Sequence, residues 1–205
     1  MIYSSFRERV YSYLFFYKIT ENNSVERLIY SFFEEFSRSD PYRCVYKEYT
    51  QTLDFLKKEP YASFLKGSNG YFLIASTLGA EIDNKITYLK STFQSEAIVL
   101  EACSNAWLEI RNDELRNELY DDLSYLFSPG YQGSDVSELK FILNELDSDR
   151  IGITFLSTNE MRPKKSMAGI YAKDVSPQKK CGNCVKIKNC EFRKAGKLCF
   201  RLEKK

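Results

Sequence analysis

Apolar residues recur at helical spacing in the first forty residues and predict two helices. The first apolar set is Val10, Tyr13, Leu14 and Tyr17, and the second is Val25, Leu28, Ile29, Phe32, Phe33 and Phe36. Ser5 with Glu8, and Asn23 with Glu26, have the spacing of capping boxes and predict where the two helices begin. The breakers Ser39-Asp40-Pro41 predict the end of the second helix.

The middle of the chain is predicted to hold two strands and two helices. Residues 43–50 alternate weakly, and 70–76 form a short apolar run typical of a buried strand. A Thr77-Leu-Gly-Ala turn then predicts a helix to about residue 90. Ser91 with Gln94 predicts the start of the longest helix, to about Asp121. Its buried face is predicted to carry Leu100, Cys103, Trp107 and Ile110.

The pattern after residue 120 mixes short strands with one helix. Strands are predicted near 124–128, 151–156 and 166–172, and a helix is predicted to open at Gly133-Ser134. Helices and strands do not alternate as regular βαβ units. The predicted fold class is therefore α+β, with a largely antiparallel sheet.

Composition limits the chemistry that this chain can perform alone. Its 205 residues, with 43% hydrophobic and 28% charged, suit a soluble globular protein with one substantial core, or with one domain plus a small appendage. The absence of His excludes His-based acid–base catalysis, His-dependent nucleophiles and His metal ligands. Carboxylates, Lys, Tyr or Cys would have to supply any chemistry.

Charge and cysteine content bear on location and partners. Residues 179–205 hold ten Lys/Arg and two acidic residues, a local charge of +8, whereas the rest of the chain is mildly acidic. Such a tail is either a solvated terminus or a docking segment for an acidic partner or a nucleic acid. The apolar run 11–17 is too short and polar to span a membrane. Six Cys without a secretory signal predict a reducing, cytoplasmic location.

The basic tail carries a possible metal site. The four thiols are Cys181, Cys184, Cys190 and Cys199. A Cys-x-x-Cys pair suits one metal, but the spacing of the other two leaves zinc, an iron–sulfur cluster, a redox pair and unligated thiols all open. We expect the four to converge on one metal, with an iron–sulfur cluster slightly favoured over zinc. Cys44 and Cys103 are predicted to be core thiols.

Several ordered blocks resemble one known family. They are the turn Ser128-Pro-Gly-Tyr131, the run Ile151-Gly-Ile-Thr through Pro163-Lys-Lys-Ser-Met-Ala-Gly169, the turn Thr77-Leu-Gly-Ala-Glu-Ile-Asp83, and the helix Ala97–Glu109. Together they resemble the activation domain of cobalamin-dependent methionine synthase and the free-standing bacterial proteins built on it. The resemblance covers roughly residues 70–172. Free-standing relatives often carry a similar Cys-x-x-Cys tail, which favours a real metal site.

The resemblance implies a fold, a domain division and a ligand. We expect an activation-domain-like α+β domain over residues 1–178, with a bent sheet and packed helices, in which 1–69 is the helical N-terminal part. Residues 179–205 would be a separate basic, cysteine-rich tail. The implied ligand is S-adenosylmethionine. Its expected site residues are Glu101, Leu126, Ser128, Pro129, Gly130, Tyr131, Ser166 and Gly169.

Roles follow from the ligand's chemistry. Main-chain groups of 128–131 would bind its amino-acid end, and Tyr131 would stack on a ring or face the sulfonium. Glu101 or Glu109 would balance its positive charge. The plainer interpretation is that Pro129-Gly130 is only a turn and Glu101 a solvated helix residue. The resemblance also implies that the 128–131 turn faces the 163–169 strand across a cleft.

Two departures from the family pattern predict weak binding. Leu126 stands where the family has an Arg that pairs with the ligand carboxylate, and a family acidic residue falls near Asn105. Loss of one charge-assisted bond costs roughly 1.5–3 kcal/mol. We therefore expect weakened or lost binding, compensated only if Arg162 or Lys164 reaches the ligand. Leu126→Arg should then tighten it.

The implied function is reactivation of a corrinoid enzyme. The chain would present S-adenosylmethionine to a corrinoid-binding methionine synthase or methyltransferase subunit. Cobalamin would enter only through that partner, because the chain has no recognisable cobalamin module and no His to bind cobalt. One alternative is an iron–sulfur redox activator that feeds the electron to the corrinoid cobalt. A separate electron donor is a further expected partner. Another is a non-enzymatic metal-binding docking protein; nucleic acid is disfavoured as a partner because no such fold is recognisable.

Overall fold

The computed structural model describes residues 2–131, 133–175, 187–194 and 196. Within them the helices are α1 (Tyr3–Leu14), α2 (Asn23–Arg38), α3 (Tyr61–Phe64), α4 (Ala80–Thr92), α5 (Gln94–Leu119), α6 (Leu139–Glu145) and α7 (Glu191–Lys194). The strands are β1 (Arg43–Tyr49), β2 (Tyr71–Thr77), β3 (Thr154–Phe155), β4 (Met161–Arg162) and β5 (Ser166–Ala172). The predicted mixed class with an antiparallel sheet is confirmed.

The main sheet has the strand order β1-β2-β5, and both pairings are antiparallel. All seven residues of β2 are buried, as expected of a central strand that is covered on both faces. Because side chains alternate across a strand, Tyr71, Leu73 and Ala75 point to one face, and Phe72 and Ile74 point to the other. The strands β3 and β4 form a separate small hairpin.

A segment before the Pro-Gly turn extends the sheet beyond β5. Sequence predicted a strand near 124–128, but the structure has only two isolated antiparallel bridges, Leu123 to Lys173 and Phe127 to Ile170. Ser124 explains the interruption. Its hydroxyl, rather than a backbone carbonyl, accepts the Ala172 N–H at 2.8 Å, so the regular ladder is broken.

Four helices form a layer around Trp107 on α5. The helices α1, α2 and α4 all pack on α5. The rings of Phe6, Phe36 and Phe33 lie 5.7, 5.4 and 6.1 Å from Trp107. The indole Nε1 donates to Asp40 at 2.9 Å, which satisfies its polar atom at the edge of the cluster. Phe32, Phe33 and Phe36 of α2 therefore pack in the core, as their helical spacing indicated. Tyr17, which belongs to the first predicted apolar set, instead lies beyond α1 and is 45% exposed.

A second core lies on the opposite face of the sheet, formed mainly by α3, α6 and the strands β2 and β5. Phe127 packs there against Phe64 and Tyr61, with ring centroids 4.8 and 5.4 Å away. The hydroxyl of Tyr61 donates to the buried carboxylate of Glu138 at 2.5 Å, and Lys58 pairs with the same carboxylate. These bonds hold Glu138, and with it the start of α6, against the core.

Helix extents were predicted better than helix caps. The predicted Ser5 cap is wrong because α1 begins at Tyr3, after Ile2. Asn22, not Asn23, caps α2, and its side chain accepts the N–H groups of Ser24 and Val25. The predicted Ser91 cap of the longest helix is also wrong, because α4 continues to Thr92 and only Phe93 separates it from α5.

Residues 176–186 lie outside the described residues, so the predicted division between 1–178 and 179–205 stays a prediction. What the structure does show is that α1 and α2 share one core cluster with α4 and α5. Among the described residues, no helix is both long and apolar enough to cross a bilayer.

A substitution at Gly169 tests the close approach of the 123–127 segment to β5. A Cβ on Gly169 would lie 2.4 Å from the carbonyl oxygen of Phe127, which is itself bonded to the Ile170 N–H at 2.9 Å. Gly169→Ala must therefore push the 123–127 segment away, and we expect it to destabilise the protein by about 1–3 kcal/mol. Urea unfolding measures this loss, and hydrogen exchange should show faster exchange of the Ile170 amide.

Gly133→Ala is the control, because nothing lies within 4 Å of its Cβ position and its cost comes only from a φ of +88°. It should leave exchange at Ile170 unchanged. Undiminished protection of Ile170 in Gly169→Ala would contradict the close approach.

Candidate functional site

Three polar residues form a stripe along one face of α5. Glu101, Asn105 and Glu109 are spaced by four residues, which places them one above the other on the helix. All three are partly buried. Each is contacted from another element of the fold, so this stripe, here called the α5 stripe, is a point where the chain converges.

Lys165 reaches the α5 stripe from the loop that leads into β5. Its Nζ lies 2.9 Å from Asn105 Oδ1 and 3.3 Å from Glu101 Oε1. The Lys165 side chain is only 10% exposed. Lys90, at the end of α4, pairs with the second oxygen of Glu101 at 3.2 Å. Glu101 is thus held by two lysines from two elements and is not a solvated helix residue.

The two partners titrate in the directions that burial and pairing dictate. Burial raises the pKa of Glu101, but Lys165 and Lys90 outweigh it, and the net shift is downward. Burial lowers the pKa of Lys165, and attraction to Glu101 only partly offsets it. The carboxylate of Glu101 is therefore firmly ionised near neutral pH.

The far end of the α5 stripe is held by α1. Arg9 donates to Glu109 at 2.8 Å and to Asp113 at 3.1 Å. Burial raises the pKa of Tyr13 strongly; the charge of Glu109, a hydrogen bond to it, and the nearby Tyr131 act in the same direction.

The turn that follows β2 and the segment that leads into β5 meet near the Glu101 end of the α5 stripe. Thr77 is paired with Ser166, and the hydroxyl oxygens of the two residues lie 2.9 Å apart. Asp83 accepts the backbone N–H groups of Lys164 and Lys165. The backbone around Lys165 is therefore anchored on both sides, since the Lys165 carbonyl also accepts the Leu78 N–H at 2.9 Å.

Several main-chain groups of the Pro-Gly turn are already hydrogen-bonded within the turn and to Ser134. Tyr131 N–H donates to Ser128 O at 3.3 Å, and Gly130 N–H donates to Ser134 Oγ at 3.1 Å. The hydroxyl of Ser134 in turn donates to Tyr131 O at 2.7 Å. Pro129 is buried, whereas Tyr131 is 56% exposed. The Tyr131 ring is thus the part of this turn that is most accessible to a ligand.

Leu126 and Gly169 are brought together. Leu126 packs against the apolar cluster on the α5 side of the sheet, and its Cδ1 lies 3.0 Å from where a Gly169 Cβ would be. An Arg at 126 would lose this packing, so Leu126→Arg carries a stability cost that the sequence did not reveal. The missing side chain of Gly169 makes room for the backbone of Phe127.

Three of the predicted metal ligands, Cys181, Cys184 and Cys199, lie outside the described residues. Cys190 is a partly buried free thiol. The parts of the chain that are described contain no group of three Cys, Asp or Glu residues able to hold a metal. The metal site stays a prediction. Cys103 is fully buried in the helical core, as predicted, whereas Cys44, on the edge strand β1, is only partly buried and is not part of a core cluster.

Comparison with known proteins shows the fold. No family model matches the chain, and no curated protein matches it by sequence. Among solved structures, the crystal structure of the MetH reactivation domain bound to AdoHcy matches with a TM-score of 0.58 and 14% identity. The match covers 97% of this chain and 85% of that one. The protein has the fold of the MetH reactivation domain.

The site fits an S-adenosyl ligand only in part. Tyr131 offers an exposed ring. Glu101, expected to balance a positive charge, already has two ammonium partners. Sequence reasoning missed Lys165. Counting alternate positions back along β5 from Tyr171 puts Gly169, Met167 and Lys165 on the α5 side, and that pattern could have found it.

The Lys165–Glu101 pair yields a stability prediction. Glu101→Gln removes the carboxylate beside a buried ammonium, and we expect it to lower the free energy of unfolding by about 1–3 kcal/mol at pH 7. Denaturant unfolding gives the value. Glu118→Gln, at an exposed position on the same helix, should change it by less than about 0.5 kcal/mol. Equal effects of the two substitutions would contradict a role for the pair.

The difference in unfolding free energy between the native chain and Glu101→Gln is predicted to depend on pH. The folded pKa of Glu101 is lowered from the ordinary value of 4.5, so its contribution is fully present above that value. It is lost as pH falls below 4.5 and through the folded pKa. The stability gap between the native chain and Glu101→Gln should therefore narrow on acidification, and a gap that widened would show the opposite shift.

Proposed function

We propose that this chain is a reactivation subunit that presents S-adenosylmethionine to a corrinoid bound by a methionine synthase or related methyltransferase. The observation that carries the proposal is the likeness over 97% of the chain to a reactivation domain whose structure contains AdoHcy. AdoHcy is S-adenosylmethionine without its transferable methyl group. The ordered sequence blocks that resemble this family supply the second, independent support.

The placement of those blocks supports the same proposal. The 77–83 turn, the 163–169 segment and the N-terminal half of α5 all contribute to the α5 stripe or its immediate surroundings. Parts of the chain far apart in sequence thus meet in one polar region. Such convergence of polar groups is typical of a ligand site.

The proposed reaction restores an oxidised corrinoid. A reductant would supply one electron to the partner's corrinoid. The methyl group of S-adenosylmethionine would then pass to the cobalt, with the carbon–sulfur bond broken as the cobalt–carbon bond forms, and S-adenosylhomocysteine would leave. Neither step requires a proton from this chain, which agrees with the lack of His.

The chain's own part is to orient the methyl donor and to contact the partner. Tyr131 is exposed, so its ring can meet both a bound ligand and a docked surface. An aromatic face opposite a sulfonium contributes roughly 1–2 kcal/mol. Cobalt and methyl transfer chemistry would come from the corrinoid and the S-adenosyl group.

Reconstitution tests the proposal. A corrinoid-binding methionine synthase fragment that lacks its own activation domain is loaded with cob(II)alamin and supplied with S-adenosylmethionine and a titanium(III) reductant. Adding the native chain should accelerate methylcobalamin formation, followed by its visible spectrum. Tyr131→Ala should lower that acceleration by about five- to thirtyfold, because the ring that faces the ligand is removed.

Tyr88→Ala provides the matched control, since Tyr88 on α4 is 62% exposed, compared with 56% for Tyr131. It should retain the native rate. The proposal fails if the native chain gives no acceleration over the corrinoid fragment alone, or if acceleration persists without S-adenosylmethionine.

A further inference from the structure

The strand β1 is an open edge of the main sheet. It lies at the end of the order β1-β2-β5, whereas β5, at the other end, is already bonded to the 123–127 segment. β1 pairs with β2 without a bulge over all seven of its residues, and it contains no Pro. Proteins usually protect an edge of this length, because its unpaired main-chain groups can bind another strand.

The hydrogen bonds of the sheet show which main-chain groups of β1 face outwards. Ile170 exchanges two main-chain hydrogen bonds with Phe127, at 2.9 and 3.0 Å, so its N–H and C=O face away from β2. Leu73 lies opposite Ile170, and Lys47 lies opposite Leu73. Because the bonding direction alternates along an antiparallel strand, Leu73 bonds to Lys47, and the residues on either side of Lys47 direct their main-chain groups outwards.

The outward-facing residues of β1 are therefore Cys44, Tyr46 and Glu48. In the part of the chain that the structure describes, no hydrogen bond from another segment reaches their N–H or C=O groups. Such a row of alternating donors and acceptors is the template on which an added strand binds.

The side chains of β1 do not oppose an added strand. Lys47 is bonded to Glu145 at 3.2 Å, and Glu48 accepts from Lys173 at 2.7 Å. Each of these charges thus has a partner within the chain. Tyr46, at the middle of the strand, is 48% exposed, and an aromatic ring at this position adds cross-strand contact to the main-chain bonds.

Charge selects one way for two copies of β1 to pair. In a two-fold antiparallel pair, the central residue faces its own copy. Centring the pair on Lys47 or Glu48 sets like charges directly opposite each other, which is destabilising. Centring it on Val45 sets Arg43 opposite Lys47, with the same result. Centring it on Tyr46, the midpoint of β1, overlaps the whole strand and sets no like charges opposite. The facing pairs are then Arg43 with Tyr49, Cys44 with Glu48, Val45 with Lys47, and Tyr46 with Tyr46.

We propose that β1 is a self-association edge, on which a second copy of this chain pairs antiparallel about Tyr46 and joins the two three-stranded sheets into one. The inference goes beyond the proposed function, because β1 contributes no residue to the α5 stripe or to the Pro-Gly turn. A single pair of strands buries less than the roughly 1,200–2,000 Å² of a stable interface, so the dimer should be weak, with a dissociation constant above about 1 µM.

Sedimentation equilibrium of the full chain under reducing conditions, over about 10–500 µM, tests this inference. The native protein should show a reversible monomer–dimer equilibrium. Tyr46→Pro removes the central outward N–H from both copies but leaves the bonds to β2 in place, because Pro is tolerated where the N–H of an edge strand faces solvent. It should weaken dimerisation by about tenfold or more, since two hydrogen bonds are lost.

Tyr46→Phe is the matched control, because it keeps both the N–H and the ring, and its dissociation constant should stay within about threefold of native. Tyr88→Ala removes a ring that is 62% exposed on α4 and should leave the dimer unchanged. Tyr46→Lys serves if Tyr46→Pro does not fold, as judged by circular dichroism. It sets two ammonium groups opposite each other and should also weaken the dimer.

A native chain that stays monomeric at about 500 µM overturns the inference. So does a dimer that persists unchanged in folded Tyr46→Pro or Tyr46→Lys, since the two copies would then meet on another surface. Binding of a different protein's strand to β1, with this chain itself monomeric, counts against it as well.

Discussion

The antiparallel pairing of β2 with β5 is the constraint on which the rest of the candidate site depends. Seven residue pairs fix the register, from Tyr71 with Ala172 to Thr77 with Ser166. That register aligns the turn after β2 with the loop before β5, so that Asp83 can bind the backbone of Lys164 and Lys165. A slip by one residue would send every side chain of β5 to the opposite face.

The same pairing explains why a lysine is buried. The α5-facing side of the sheet carries Phe72 and Ile74 of β2 and Tyr171 of β5. At the entrance to β5 the apolar surface ends, and Lys165 meets the polar stripe of α5 instead. Its ammonium links β5 to α5, where the helical layer joins the sheet. A buried pair of this kind adds little net stability but strongly penalises arrangements that leave one charge alone.

The acidic side chains of the α5 stripe are paired with basic side chains of the same protein. Glu101 is met by Lys90 and Lys165, and Glu109 is met by Arg9. The acids on the stripe therefore have partners from α1, α4 and the β5 loop before any ligand arrives. A fold shared with a domain that binds AdoHcy thus carries a polar site whose charges are already internally matched.

The fold was largely readable from sequence because hydrophobic spacing reports which faces are buried. The spacing of Leu100, Cys103 and Trp107 correctly predicted the core face of α5. The helix caps were predicted less well. Ser5 and Ser91 are each one of several residues at which a helix could begin, and tertiary packing decides which of them is used.

The candidate site was harder to predict for a different reason. The resemblance identified Glu101 and Tyr131, but pairing between Glu101 and Lys165 spans 64 residues and depends on strand register. The sequence showed that Leu126 replaces the Arg expected from the family pattern. Only the structure shows that Leu126 contacts the position of Gly169 and packs against the apolar cluster. The identity of a residue shows which interactions its side chain could make. Only the fold shows which of those interactions are already made within the protein.

A crystal structure of the chain soaked with S-adenosylhomocysteine tests the central claim most directly. The account predicts the ligand beside the Tyr131 ring and the α5 stripe, with the Lys165 ammonium still bonded to Glu101. A ligand bound instead in the depression lined by Phe55, Phe141 and Glu145, which includes no residue of the α5 stripe, would contradict it.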